Sequence, residues 1–237
     1  MILNLTAIRI QRLVGVLLVL LLLVIAADWV RVPLLQRLEL ASYDLRTRWS
    51  LSYDQDPSLV MVDLDERSLT RIGQWPWSRD VVAQLVFDLF ERYRIQLLGI
   101  DVVFAEPEGR GLLDHWQQYL DAYPALAEVP APVDGDALLA GVLGQYPVVL
   151  GYVFQALVDA DDAPPIGALP PPQIIEPESR PLLERVPLPR PQRYTANLPL
   201  LQEQAWSGGF FDNPHVDMDG VFRRVPLLQH WQGEWYA

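Results

Sequence analysis

An apolar run near the start of the chain constrains its structure more than any other feature. Residues 13–27 (LVGVLLVLLLLVIAA) contain no polar side chain, and extension to residue 30 gives the roughly 18 residues that cross a bilayer core. The flanking residues are of the kinds that sit at lipid headgroups: Arg9, Arg12, Trp29 and Arg31. We therefore expect a membrane-spanning helix over 13–30 that follows a cytoplasmic N-terminus over 1–12.

A cleaved signal peptide is the alternative interpretation of this run. A positively charged start precedes it, and Ile25-Ala26-Ala27 resembles a cleavage site. The run is long and rich in leucine for a signal peptide, which favours an uncleaved anchor. Arginines on both sides leave the orientation open, but all 30 acidic residues lie from Asp28 onward, and a long domain can translocate whatever its charge. We expect the chain in the cell (inner) membrane, with residues 31–237 facing the periplasm or the cell exterior.

The composition excludes several classes of function. With 18 basic against 30 acidic residues, the net charge is −12, so no basic face is available for the phosphates of a nucleic acid. The chain has no cysteine, which excludes disulfides, thiolate nucleophiles and Cys-ligated metal sites. A hydrophobic fraction of 51% indicates a folded chain.

The first part of the exported region combines a stalk with an α/β unit. Apolar residues recur at helical intervals over 33–50, which predicts a stalk helix or a homodimer seam. The run 59–62 (LVMV) is typical of a strand buried on both faces. The pattern over 79–94 predicts an amphipathic helix after Ser78, and the pattern over 97–104 predicts a second strand. Strand, helix and strand at this spacing predict a right-handed parallel crossover.

Further elements follow along the chain. We expect helices over 112–122 and 136–144 and a strand over 148–154, then a Pro-rich insertion over 160–191 that leaves the fold as a long surface excursion. A turn at Asp217-Met218-Asp219-Gly220, a strand over 221–228 and another at 234–236 complete the sequence. The predicted fold is α/β, with a mostly parallel central sheet flanked by helices and a C-terminal β-hairpin region.

Four carboxylates follow the predicted strands. Asp63 and Asp65 lie beyond the first strand, and Asp101 and Glu106 lie within or beyond the second. Because ligands of open α/β sheets bind at the carboxyl ends of the strands, these oxygens could hold Mg²⁺ or Ca²⁺. The alternative is structural: Asp65 caps the turn at Glu66, and Asp101 pairs with an arginine or accepts loop amides. The structural alternative is favoured, and no metal site is assigned.

An aromatic segment precedes the amphipathic helix. Trp75 and Trp77 flank Pro76, and Arg79 opens the helix. The two rings and the guanidinium could line a ligand pocket through stacking and cation–π contacts, or the tryptophans could close the end of a core. Arg79 is unfavourable in a first helical turn, so we expect it to pair with a carboxylate, for which we suggest Asp101.

Signatures of catalysis are weak in this sequence. His115, His215 and His230 stand far apart, and no phosphate-binding glycine loop, nucleophile elbow or zinc-protease motif occurs. No cofactor is expected.

Four segments taken together resemble the type-two CHASE domain, an extracytoplasmic sensor of bacterial membrane cyclases and histidine kinases. They are residues 64–69 (LDERSL), 73–79 (GQWPWSR), 99–107 (GIDVVFAEP) and 217–227 (DMDGVFRRVPL). The resemblance spans residues 42–228 and implies a sensor input module. Mapped onto this chain, it singles out as ligand-binding candidates Asp65, Trp75, Trp77, Arg79, Asp101 and Glu106, with Pro76 between the two tryptophans.

Three functional hypotheses follow from these observations. The first is a membrane-anchored sensory domain without catalytic activity, which binds an unknown small ligand or cation. It relays the binding signal to an effector absent from this chain, and we expect the chain to be C-terminally incomplete. The second is an exported metal-dependent hydrolase that uses Asp63, Asp65, Asp101 and Glu106. The third is a structural domain that mediates assembly.

Overall fold

The chain divides into two compact units, Met1–Asp63 and Leu64–Ala237, in the computed structural model. The residues described are 2–26, 33–52, 56–109, 115–124, 128, 133–155, 164–172, 181, 185 and 188–237. Parts of three predicted segments lie outside the described residues: 27–30 of the span, 112–114 of a helix, and most of the Pro-rich insertion 160–191.

Two helices make up most of the first unit. Helix α1 is Ile2–Ala26 and helix α2 is Pro33–Ser50, which confirms the helix predicted over 33–50. The large apolar side chains of α1 from Leu13 to Leu23 are exposed. A search of the described segments found no helix that combines the length and the hydropathy of a membrane span. The span over 13–30 stays a prediction.

The apolar run 59–62 does not form the expected buried strand. Leu59 and Met61 are 80% and 89% exposed, and the run lies outside every strand. An apolar run becomes a strand only where a neighbouring strand satisfies its amides and carbonyls, and no partner strand is present among the described residues. The predicted crossover from 59–62 to 97–104 is therefore wrong in its first half.

The main sheet of the second unit is built around one long strand. Strand β2 (Val148–Gln155) pairs in parallel with β1 (Leu98–Ile100) and with β4 (Ser207–Phe210), and antiparallel with β3 (Arg193–Thr195). A separate antiparallel hairpin joins β5 (Gln229–Trp231) to β6 (Glu234–Tyr236). The α/β class and the C-terminal hairpin are confirmed.

Two features of the predicted sheet are wrong. The pairings of the described strands are not mostly parallel: two are parallel (β1–β2 and β2–β4) and two are antiparallel (β2–β3 and β5–β6). Residues 221–228 lie outside every strand, because the hairpin forms later, around Gln232 and Gly233. Both of these turn residues have positive φ, the conformation of a tight hairpin turn.

Five helices of the second unit lie among the described residues. They are α3 (Glu66–Ile72), α4 (Arg79–Glu91), α5 (Trp116–Ala122), α6 (Gly135–Leu143) and α7 (Pro199–Gln204). Helix α4 confirms the amphipathic prediction, because Val82, Val86 and Phe90 are buried on one face. Helix α6 confirms the prediction over 136–144, and Asp134 caps it by accepting a hydrogen bond from the Ala137 amide at 3.1 Å.

Two hydrophobic clusters stabilise the second unit. The first packs α4, α6 and α7 against β1 and β2, and the second is aromatic, with Tyr152, Phe154 and Tyr236 at its centre. The Tyr152 and Phe154 rings meet edge to face with centroids 5.3 Å apart, a geometry worth about 0.5–1.5 kcal/mol beyond area burial. Burial raises the pKa of Tyr152 above its usual range.

Asn197 connects three parts of the second unit through its fully buried amide. Its Oδ1 accepts a hydrogen bond from the Phe104 amide at 2.8 Å, and its Nδ2 donates to the Gly151 carbonyl at 3.0 Å. The Pro-rich insertion joins the fold here, since Ala168 pairs with Asn197 and Pro170 is fully buried. The description of the insertion as a surface excursion is therefore wrong for residues 166–170.

Candidate functional site

Asp65 acts as a helix cap. Its Oδ1 accepts hydrogen bonds from the amide and the hydroxyl of Ser68, at 2.9 and 2.8 Å, at the start of α3. These hydrogen bonds lower the pKa of Asp65, with the larger effect from the Ser68 amide and the next from the Ser68 hydroxyl. This is the structural role that the sequence offered as the alternative to ligand binding, and it follows from a short polar side chain placed just before a helix.

The two tryptophans differ in exposure. Trp77 is buried, and its Nε1 donates a hydrogen bond to the Gly73 carbonyl at 2.8 Å. Trp75 is 39% exposed and meets the Trp77 ring at a centroid distance of 5.9 Å, across the cis peptide bond between Trp75 and Pro76. Trp77 therefore belongs to the first hydrophobic cluster, while Trp75 is partly exposed to solvent.

Arg79 lies at the centre of a largely buried set of contacts, which we call the Arg79 cluster and define by Arg79, Phe104, the Glu106 carbonyl, Glu108 and Asp136. The Arg79 Nε donates to Asp136 Oδ1 at 2.9 Å, and Nη2 donates to the Glu106 carbonyl at 2.9 Å. The guanidinium carbon stands 4.5 Å from the centroid of the Phe104 ring. The expected pairing with a carboxylate is confirmed, but the partner is Asp136 and not Asp101.

Two helix N-termini meet in the Arg79 cluster. The Glu108 carboxylate accepts the Arg79 amide at 3.0 Å from each oxygen, so it caps α4, and Asp136 Oδ2 accepts the Glu108 amide at 2.8 Å. Asp136 itself lies in the first turn of α6. The Asp136 carboxylate pairs with the Arg79 guanidinium, and the Glu108 carboxylate lies at the positive end of the α4 dipole, which favours its negative charge. The loop after β1 is thereby fastened to both helices.

Sequence reasoning missed Glu108 and Asp136. Asp134-Gly135-Asp136 is a helix-start signal, with a cap and an acid in the first turn, and it could have marked this position as a negative site. Nothing local indicates that α6 packs beside α4, so the pairing of Arg79 with Asp136, 57 positions apart, could not be predicted.

The remaining predicted residues stand at the surface. Asp101 follows β1 directly and is exposed, and the Glu106 side chain is exposed although its carbonyl belongs to the Arg79 cluster. Asp63 closes the first unit. Among the described residues, no three His, Cys, Asp or Glu side chains lie close enough together to hold a metal ion. The metal-dependent hydrolase therefore gains no support from the geometry of its carboxylates.

A second network of charged side chains surrounds Arg223. Its Nη1 contacts Asp217 Oδ2 at 3.0 Å, and its Nη2 contacts Asp219 Oδ2 at 2.7 Å. The hydrogen bond from Arg223 lowers the pKa of Asp219 to about 2. Gly220, with φ of +79°, completes the turn expected at Asp217–Gly220.

Comparison with known proteins gives one match. The sequence model of the CHASE2 domain matches residues 16–237. Neither the search of curated proteins nor the search of solved structures returned a match.

Proposed function

The chain belongs to the CHASE2 domain family, whose members are extracytoplasmic sensory domains, and we propose that it is the input domain of a bacterial signal-transduction receptor. In this proposal the second unit binds a small ligand or a cation outside the cytoplasm and relays the change to an effector. The observation that carries the proposal is the family match over residues 16–237, which covers the second unit from Leu64 onward.

The Arg79 cluster supports a binding role over a catalytic one. The Arg79 side chain is only 11% exposed, and its partner Asp136 is 9% exposed. Asp65 and Glu108 are engaged as helix caps. Groups held in such structural bonds are poorly placed to exchange protons with a substrate, whereas a fastened loop can have two arrangements that a ligand distinguishes.

We propose that the ligand contacts three exposed members of the set predicted from sequence: Trp75, Asp101 and Glu106. The buried members, Trp77 and Arg79, would hold the loop and the start of α4, while Asp65 would fix α3. A ligand that prefers one position of the loop after β1 would shift the equilibrium by its difference in affinity for the two positions.

Membrane attachment is the second part of the proposal. The Leu and Val side chains of α1 from Leu13 to Leu23 are exposed, with Leu13 at 62% and Leu23 at 58%. Each Å² of apolar surface left in water costs about 25 cal/mol, so these side chains need an apolar environment. We propose that the segment 13–30 supplies the contact with the lipid bilayer, and that the second unit faces the periplasm or the cell exterior.

A homodimer through α2 is the third part. The helix has no buried residue, and four small or apolar residues recur along it at spacings of four, three and four: Leu34, Leu38, Ala41 and Leu45. This is the spacing of a coiled-coil seam. A paired α2 would bury these side chains and would give the receptor a stalk.

Thermal unfolding of the full chain in detergent tests ligand binding. A compound at about 100 times its dissociation constant stabilises the folded state by about 2.7 kcal/mol, which raises the melting temperature by about 5–10 °C. The screen contains Mg²⁺, Ca²⁺ and small metabolites. Glu106→Gln should reduce the shift, and Glu203→Gln, at an exposed position of α7, is the matched control.

Location is tested by a reporter fused after Trp49. Alkaline phosphatase is active only after export, so an active fusion supports the proposal. An inactive phosphatase fusion together with a fluorescent cytoplasmic fusion at the same residue would contradict an extracytoplasmic sensor.

A further inference from the structure

A cavity in the second unit shares no residue with the set predicted from sequence. Its volume is about 370 Å³, which lies at the lower end of the range for small-molecule sites. The lining residues come from β2, from the segment before β3, from the segment after β4 and from β5: Phe154, Pro189, Arg190, Pro191, Asp212, Asn213, Pro214, His215 and Gln229.

One wall of this cavity is stiff and presents a cation. Arg190 stands between Pro189 and Pro191, whose rings fix their own backbone angles and restrict the residue before each of them. The segment is fastened at both ends, because the Pro189 carbonyl accepts the His230 amide at 3.0 Å and the Gln192 amide donates to the Gln155 carbonyl at 3.0 Å. The backbone of Arg190 is thus held at the cavity wall by the fold before any ligand arrives.

The opposite charge comes from an oriented carboxylate. Asp212 Oδ1 accepts the Phe154 amide at 2.7 Å, and Oδ2 accepts the Nε2 group of the buried Gln229 at 2.8 Å. Each carboxylate oxygen can accept a second hydrogen bond, so Asp212 keeps acceptor capacity toward the cavity. Within the described part of the chain, no ion pair joins Arg190 to a carboxylate and none joins Asp212 to a cation.

We propose that this cavity binds a small zwitterion of the amino-acid type. The ligand's carboxylate pairs with Arg190, its ammonium pairs with Asp212, and its apolar part packs against Phe154 and the proline rings. A singly charged ligand would leave Arg190 or Asp212 facing a like charge or no charge. A zwitterion compensates both, and the cavity volume suits a molecule of amino-acid size.

The inference goes beyond the proposed function, because binding to this cavity is measured without reference to signalling. Calorimetric titration of the full chain in detergent, with each of the common L-amino acids as a probe, should find at least one that binds. Two derivatives of that probe are then compared with it. The C-terminal amide lacks the carboxylate, the N-acetyl compound lacks the ammonium, and each should bind at least tenfold more weakly.

Variants connect the binding to the cavity. Arg190→Gln should lower the affinity for the probe at least tenfold. The variant should fold normally, because Arg190 is exposed and its neighbours keep their backbone bonds. Arg92→Gln is the matched control on the exposed end of α4, and it should leave affinity unchanged. Asp212→Asn should also lower the affinity for the probe. If this variant fails to fold, the Arg190 variant and the two derivatives still test whether the probe binds in the cavity.

Three results would overturn the inference. They are the absence of binding by every amino acid tested, equal affinity for the amide or N-acetyl derivative, and unchanged affinity in the Arg190→Gln chain. A ligand whose binding is lost in Glu106→Gln and kept in Arg190→Gln would refute the cavity while leaving the sensory proposal intact.

Discussion

Arg79 and Asp136 open two different helices and form a buried ion pair, with the Arg79 Nε atom 2.9 Å from Asp136 Oδ1. The pair joins α4 to α6, and the same guanidinium reaches the loop after β1 through the Glu106 carbonyl. The Arg79 cluster therefore sets the relative positions of three segments with a single side chain.

Removal of one partner of this pair should be strongly destabilising. Asp136→Ala leaves the Arg79 guanidinium uncompensated in the interior, and we expect a loss of about 3–5 kcal/mol in the free energy of unfolding by urea. Replacement of both partners, Arg79→Met with Asp136→Leu, should cost much less than the two single changes together, because no charge remains buried. The exposed pair Arg92–Asp88 is the control, and Arg92→Met should change stability by less than about 1 kcal/mol.

Two strand glycines should respond oppositely to a methyl group. A Cβ on Gly151 would stand 2.8 Å from the Ile100 carbonyl and from the Phe211 ring, so Gly151→Ala should lose about 1–3 kcal/mol through overpacking. A Cβ on Gly99 meets nothing within 4 Å, and Gly99→Ala should leave stability unchanged or raise it by about 0.5 kcal/mol. Equal unfolding midpoints for the two variants would contradict the close approach of β1 and β2 at Gly151.

Asp219 should make stability depend on acidity. Its pKa falls from 3.8 to about 2 on folding because of the hydrogen bond from Arg223. A carboxyl with a lowered folded pKa stabilises the fold fully above its unfolded pKa and loses this contribution as the pH falls through the folded pKa. The difference in unfolding free energy between the wild-type chain and Asp219→Asn should therefore be largest above pH 3.8, fall as the pH approaches 2, and reach its minimum below pH 2.

An NMR titration of the Asp219 carboxyl group provides the direct measurement. In the Arg223→Gln chain the midpoint of Asp219 should move upward, because the donor that lowers its pKa is gone. An unchanged midpoint in that variant would refute the assigned cause.

The stalk proposal predicts a charge-sensitive dimer. Leu38 is 58% exposed in the isolated chain, and Leu38→Glu would place like charges at the centre of a paired α2. Sedimentation in detergent should then show mainly monomer. Tyr43→Glu changes an apolar residue on the other face of the same helix and should leave the dimer in place. A wild-type chain that sediments as a monomer would remove the homodimer from the proposal.

Local patterns were sufficient for the most regular elements. The stripe of Val82, Val86 and Phe90 predicted α4, and the continuous apolar run from Val148 predicted β2 nearly to its last residue. In both cases the signal is contained within one segment. The alternation of strand and helix patterns along the sequence also predicted the α/β class correctly.

Elements that need a partner were predicted less well. The run 59–62 and the segment 221–228 have the composition of strands, but both lie outside the ladders of the described chain. Strand formation depends on a second segment whose position is not encoded locally. Strand β3 was not predicted for the same reason, since its partner β2 lies far from it along the sequence.

The candidate site repeats this lesson at the level of single residues. The chemistry of Arg79 predicted a carboxylate partner, while the packing of α4 on α6 decides that the partner is Asp136. The cavity beside Arg190 was not foreseen, because its lining is drawn from four separate segments. A proline on either side of an arginine was the one local sign of a rigid cationic wall.

The hydrogen bonds of the Asn197 side-chain amide have a consequence for the stability of the fold in changing pH and salt. Its bonds to Phe104 and Gly151 involve no ionised group, so neither acidification nor a rise in salinity can titrate or screen them away. The second unit thus keeps a neutral crosslink whatever the acidity or salinity, and any sensitivity to these conditions falls to its charged side chains.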